Sequence, residues 1–174
     1  MRFPSFGALA DHLRAEVPER VRRGKVAGLT AASNLVLAEI HSEIGEYQGG
    51  DSGFEDWKPL SSATLNGFGP WPENIAKNPR FAPPDNPLER TGEMKKSFGV
   101  SIDESGASIG SNDPVAVWQN EGTHSRGVPY KKGVTTTPGI PAREFIGRAG
   151  FRKAPEIAEV IGASVVKSFV EDDL

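Results

Sequence analysis

The chain has 174 residues, 37% hydrophobic and 25% charged, which suits one folded domain with a real core and leaves little room for a second. A net charge of −3 gives no global field to attract a polyanion, so any nucleic-acid contact must be local. Without Cys there is no disulfide framework, thiolate metal site or thiol nucleophile, and no window approaches the apolar length of a signal core or membrane span, which suits a reducing cytoplasm.

Taken in chain order, Phe6, Leu9, Leu13, Val17 and Val21 fall three and four apart and predict an amphipathic helix over residues 6–23, broken or kinked at Pro18. Gly24 closes that segment, making residues 1–24 an N-terminal helical extension of a domain spanning 25–174. From Lys25, the positions Val26, Leu29, Ser33, Val36, Ile40 and Ile44 predict a second helix that reaches Tyr47 and ends in a Gly-rich turn.

Residues 54–90 carry Trp57, Trp71 and many prolines without sustained period and read as a long excursion. Phe98, Val100 and Ile102 alternate with small residues, Asp103-Glu104-Ser105-Gly106 offers a turn, and Ala107-Ser108-Ile109 returns, which predicts a β-hairpin. Val115-Ala116-Val117-Trp118 is a short apolar run, after which residues 119–139 are loop-like, with Thr135-Thr136-Thr137 able to add an extended arm. Ile157, Ile161, Val165, Val166 and Phe169 predict a last helix from Pro155, ahead of an acidic end at Glu171-Asp172-Asp173. Helices therefore bracket a central β region in one α+β domain, residues 1–174.

Chemistry-bearing constellations are few. His12, His41 and His124 are scattered with no metal-ligand spacing, and no cofactor fingerprint is present. Gly67-Phe68-Gly69-Pro70 lacks the lysine and helix context of a phosphate loop. Glu121 and His124 offer an acid/base pair only if a pocket forms around them; polar residues at a loop entrance is the plainer reading. Arg20, Arg22, Arg23 and Lys25 form the tightest basic cluster, either cations favoured at a helix end or a DNA-facing phosphate patch. Trp57 and Trp118 are the heaviest apolar groups in their segments and suit core or interface anchoring. With no catalytic residue, metal site or cofactor assigned, the residues point to an assembly or binding module.

Four segments resemble the virion-morphogenesis family of tailed phages, the tail-completion and tail-terminator proteins of the neck. Trp57-Lys58-Pro59-Leu60, followed by hydroxyl residues and Thr64, is similar to the family's Trp-x-Pro-Leu motif. Leu88-Glu89-Arg90-Thr91-Gly92-Glu93-Met94-Lys95-Lys96-Ser97 resembles its Leu-x-x-Thr-Gly-x-Leu-x-x-Ser. Ile109-Gly110-Ser111 and then Ala116 through Glu121-Gly122-Thr123 resemble its strand and Gly-Thr corner. Ile140-Pro141-Ala142-Arg143-Glu144-Phe145-Ile146-Gly147 is similar to Ile-Pro-Ala-Arg-Pro-Phe-Leu-Gly, with Glu144 in place of Pro.

The resemblance implies helices packed on a small antiparallel β-sheet, with subunits forming a ring, commonly of six, that ends the tail tube and joins the head connector. The long loops at residues 66–87 and 122–139, or an extended hairpin arm, would reach neighbours. Trp57, Trp118, Arg143 and Phe145 are the interface candidates. Implied partners are further copies of the chain, the tail tube protein and a head-completion or connector protein, with assembly in a bacterial cytoplasm and residence in the virion. The competing readings are a DNA-contacting head-tail adaptor or minor capsid-associated protein using Arg20, Arg22, Arg23 and Lys25, and a hydrolase using Glu121 and His124.

Overall fold

The computed structural model describes residues 3–51, 53–61, 65, 85–123 and 139–170. Most of the loops at 66–87 and 122–139, together with Trp71, His124, Thr135-Thr136-Thr137 and the acidic end, lies outside the described residues. The fold is α+β: among the described residues there are four helices and one two-stranded antiparallel sheet. In order these are α1 (Phe6–Glu43), α2 (Glu93–Lys96), β1 (Phe98–Ile102), β2 (Ala107–Ser111), α3 (Pro114–Glu121) and α4 (Phe145–Val170). Among the described residues, no helix is long and apolar enough to cross a membrane.

The chain divides into two compact units. The first comprises Met1–Val36, Val100–Ile109 and Lys153–Leu174; the second comprises Leu37–Gly99 and Gly110–Arg152.

In the first unit, Ser5 stands just ahead of α1, and its Oγ accepts the Ala8 amide at 3.1 Å and so satisfies one of the free donors of the first turn. The expected break does not occur: α1 runs unbroken through both Pro18 and Gly24. Pro18 removes one intrahelical hydrogen bond, but strong helix formers such as Ala15, Glu16, Glu19 and Arg20 surround it and hold the helical path.

Gly24 is a contact surface, not a stop. A Cβ there would lie 2.6 Å from the Val165 Cα, and one at Gly28 would lie 2.8 Å from the Ile161 Cα. The two glycines, one helical turn apart, bring the α1 and α4 backbones together. Farther along the same contact, Arg20 Nη1 donates to the Phe169 carbonyl at 3.2 Å and Ser168 Oγ donates to the Arg20 carbonyl at 2.9 Å. The helices therefore run antiparallel, with Arg20 against the end of α4.

The hairpin forms where the alternation places it, with the return strand running to Ser111, two residues past the expected Ile109. Asp103 Oδ1 accepts the amides of Ser105 and Gly106 at 2.8 and 3.0 Å, a side-chain mimic of a backbone turn that closes the loop between strands.

In the second unit, Ile40 and Ile44 continue the buried stripe of α1. That helix ends at Glu43, short of Tyr47, because Gly45 takes φ +105° and turns the chain. Thr91-Gly92 makes the second turn, with Gly92 at φ +74° leading into the single turn of α2 and then β1.

Two expectations are corrected here. Residues 119–121, read as the start of a loop, are the end of α3, which also takes in the short apolar run 115–118: Asp113 Oδ1 accepts the Val115 amide at 2.9 Å and Pro114 occupies the first turn, a helix start signal. The last helix begins at Phe145, and Pro155 lies inside it.

Candidate assembly site

All four interface candidates belong to the second unit, and three of them are buried in it. Trp57 and Phe145 are buried and meet edge to face with ring centroids 6.5 Å apart, and Phe98 meets Phe145 in the same manner at 5.8 Å. His41 also meets Phe98 edge to face, with ring centroids 6.4 Å apart. Edge-to-face pairs add roughly 0.5–1.5 kcal/mol each beyond the area they bury, so this aromatic group is a strong fold anchor.

Arg143 is buried beside it. Its Nη2 donates to the Lys58 carbonyl at 3.1 Å and its Nη1 to Gln119 Oε1 at 3.3 Å, while its backbone amide donates to the Gln119 carbonyl at 2.8 Å. Burial pushes the guanidinium below its ordinary pKa. Arg143 thus ties the Trp57 segment, the end of α3 and the start of α4 into one body.

Backbone and side-chain bonds reinforce that tie. Thr123 donates its amide to the Ile140 carbonyl and receives the Ile140 amide on Oγ1, both at 2.9 Å, and Asn120 Oδ1 accepts the Ile146 amide at 3.2 Å. Gly122 makes the corner possible: its φ is +75°, and a Cβ there would lie 2.8 Å from both the Ala142 nitrogen and the Ile140 oxygen.

Trp118 is different. Ala116 turns inward from α3, whereas Trp118 is 50% exposed and shares the open surface of this short helix with Val115 and Val117. It is the interface candidate that the monomer does not consume.

The second unit also holds a buried charge cluster that sequence reading missed. Glu43, 1% exposed, receives Arg152 Nη1 on Oε1 at 2.9 Å. Arg152 further donates to Asp51 Oδ2 at 2.6 and 3.0 Å and to Gln48 Oε1 at 3.0 Å, and stands 3.6 Å from Glu39. Arg148, also buried, donates to the carbonyls of Gly49 and Glu55 and lies over the Phe54 ring at 5.3 Å.

Three carboxylates, Glu39, Glu43 and Asp51, thus face two guanidiniums. Glu43 Oε2 has no hydrogen-bond partner among the described residues. Burial, opposed by Arg152 and Arg148 and reinforced by Glu39 and Asp51, pushes the Glu43 pKa up to about 7. A cleft of about 550 Å³ opens beside it, lined by His41, Glu43, Glu46, Glu89, Lys95 and Arg152 among others. The readable signal was the spacing: Glu39/Glu43 and Arg148/Arg152 are each four apart, so each pair shares one helix face.

The basic residues are engaged within the first unit. Arg20 donates to Phe169, Arg22 makes a two-pronged pair with Glu19 at 2.7 and 2.9 Å, and Lys25 Nζ donates to the Glu104 carbonyl at 2.6 Å. Arg23 is exposed on the same helix. Glu121 is exposed at the end of α3, and its proposed companion His124 lies outside the described residues. No group of three or more potential metal ligands occurs among the described residues.

No protein-family model, curated protein or solved structure matches this chain.

Proposed function

We propose that this chain is a structural subunit of a tailed-phage particle, forming a ring at the head-tail junction that ends the tail tube and joins it to the head connector. Its work is assembly; no bond-making step is assigned to it. The ring would use a heterologous contact, one face of each subunit meeting a different face of the next, which closes only when the rotation per subunit divides the circle.

The observation that carries this reading is that each of the four family-like segments buries at least one residue in the second unit. Trp57 from the first, Met94 from the second, Ala116 from the third, and Arg143 with Phe145 from the fourth are buried in the second unit. These motif residues hold a scaffold rigid around Arg143 and Phe145, and that scaffold presents Val115, Val117 and Trp118 outward. A protein whose activity is its shape needs this division between anchors and exposed contact residues.

The DNA-contacting adaptor draws less support, since Arg20, Arg22 and Lys25 already meet acceptors of the chain itself. Electron micrographs of particles made without this subunit test the proposal. Headless tails, tailless heads or overlong tails are expected, and normal infectious particles would refute it.

A further inference from the structure

Residues 46–51, just past the end of α1, lie against the first two turns of α4 as a strap, and two arginines of α4 hold them there. Arg148 donates to the Gly49 carbonyl, and Arg152 donates to Gln48 Oε1 at 3.0 Å and to Asp51 Oδ2 at 2.6 and 3.0 Å. Residues 47–50 belong to neither helix nor strand. The strap leaves α1 at Gly45, whose φ of +105° suits a glycine hinge.

The same guanidiniums serve the carboxylates of α1. Arg152 Nη1 is shared between Gln48 Oε1 and Glu43 Oε1, so Gln48 of the strap lies beside the Glu43 carboxyl. Glu39, Glu43 and Asp51 bring three negative charges to two guanidiniums, and the cluster is neutral only when one carboxyl keeps a proton. Exposure decides which one. The Asp51 side chain is 38% exposed and that of Glu39 20%, against 1% for Glu43. A buried charge without full compensation is costly, so the proton resides on Glu43. His41, Glu46, Glu89 and Lys95 line the adjacent cleft, where Lys95 stands 3.7 Å from Glu89.

We propose that residues 46–51 form a proton-held strap, closed over Glu43 while that carboxyl is protonated and released to admit water when it ionises. Ionised Glu43 gains attraction to Arg152 but lacks hydration in the closed form, and its pKa of about 7 reflects the larger weight of the second effect. Between pH 4.5 and about 7 the closed form keeps a proton that a hydrated carboxyl gives up. Closure is therefore firmest below pH 4.5, weakens as pH rises to about 7 and levels off above. The strap lies within the second unit and does not depend on the neck reading.

The Trp57 amide donates to the Gln48 carbonyl at 2.9 Å and so reports release of the strap. Hydrogen exchange of the full-length chain, expressed as protection relative to a free amide at the same pH, is the measurement. Trp57 is expected to be less protected than the Ile40 amide of α1, as opening short of unfolding requires. Its protection should fall about tenfold from pH 6 to pH 8. In Glu43→Gln, which cannot ionise, that fall should vanish.

Equal protection of Trp57 and Ile40 at both pH values would mean that the strap opens only when the unit unfolds, and would overturn the proposal. A pH-independent Trp57 amide in the wild-type chain overturns it too. So does a tenfold fall that survives in Glu43→Gln, because another group, such as His41, would then carry it. The two wild-type comparisons decide the matter even without the variant.

Discussion

Arg152 Nη1 stands 2.9 Å from Glu43 Oε1, while the other oxygen of the same carboxyl has no hydrogen-bond partner among the described residues. One guanidinium serves Glu43, Asp51 and Gln48 at once, so the cluster holds Glu43 in place without fully compensating its negative charge. Replacing such a network by apolar groups is often neutral, whereas removing one member leaves a buried charge exposed to its neighbours.

A pH dependence follows, and its sign is fixed by the direction of the shift. The Glu43 pKa rises from 4.5 to about 7 on folding, so between those values the folded chain holds a proton that the unfolded chain has released. Stability from this group is full below pH 4.5, falls as pH rises toward 7, and is constant above, a loss of about 3 kcal/mol at 1.36 kcal/mol per unit. Glu43→Gln keeps an oxygen for Arg152 and cannot ionise. Denaturant melts should show the variant close to wild type near pH 5 and more stable by about 1–3 kcal/mol at pH 8. A wild-type advantage at pH 8 would mean that the ionised pair is net stabilising.

Glycine substitutions in the helices should differ in sign. Gly24→Ala drives a methyl into the Val165 backbone, where no side chain can yield, and should cost about 1–3 kcal/mol. Gly162→Ala, with nothing within 4 Å of the new methyl, should stabilise by about 0.5–1 kcal/mol through helix propensity alone. Thermal melts of the two variants check this pair directly.

Arg143→Ala removes two buried donors and leaves the Lys58 carbonyl and Gln119 side chain short of a partner. A loss of about 2–4 kcal/mol is expected. Because the guanidinium also joins two helices to the Trp57 segment, amide exchange should accelerate around Lys58 and Gln119 together. Faster exchange at only one of them would mean the ties are independent.

The two described tryptophans should separate folding from assembly. Trp57→Ala opens a cavity against Phe145 and should cost about 3–5 kcal/mol. Trp118→Ala, at a half-exposed site, should change stability by less than about 1 kcal/mol while weakening association between copies. If Trp118→Ala leaves association unchanged, the α3 face is not a contact.

Elements with a strong local signal could be read from sequence. The hairpin was visible because Phe98, Val100 and Ile102 alternate and Asp103 carries its own turn chemistry. The buried stripe Ser33, Val36, Ile40 and Ile44 was visible as a helical period. Gly24 was misread because a glycine that ends a helix and one that admits a neighbouring backbone look alike until the neighbour is known. The helix over residues 114–121 was not legible because four apolar residues carry no period; Asp113-Pro114 held the missing information. The charge cluster was hidden because its members are spread over α1, the 48–51 segment and α4, and only the tertiary fold brings them together. Burial of Trp57 and exposure of Trp118 likewise depend on which elements pack against them.

The central claim is that the chain acts by closing into a ring on a tail tube. Measuring the particle mass of purified protein, alone and mixed with tail tubes, while imaging the tube ends, tests it most directly. The account predicts a discrete species of several 18.6 kDa subunits that caps the tubes. Species no larger than two copies at every concentration, with every tube end bare, would contradict it.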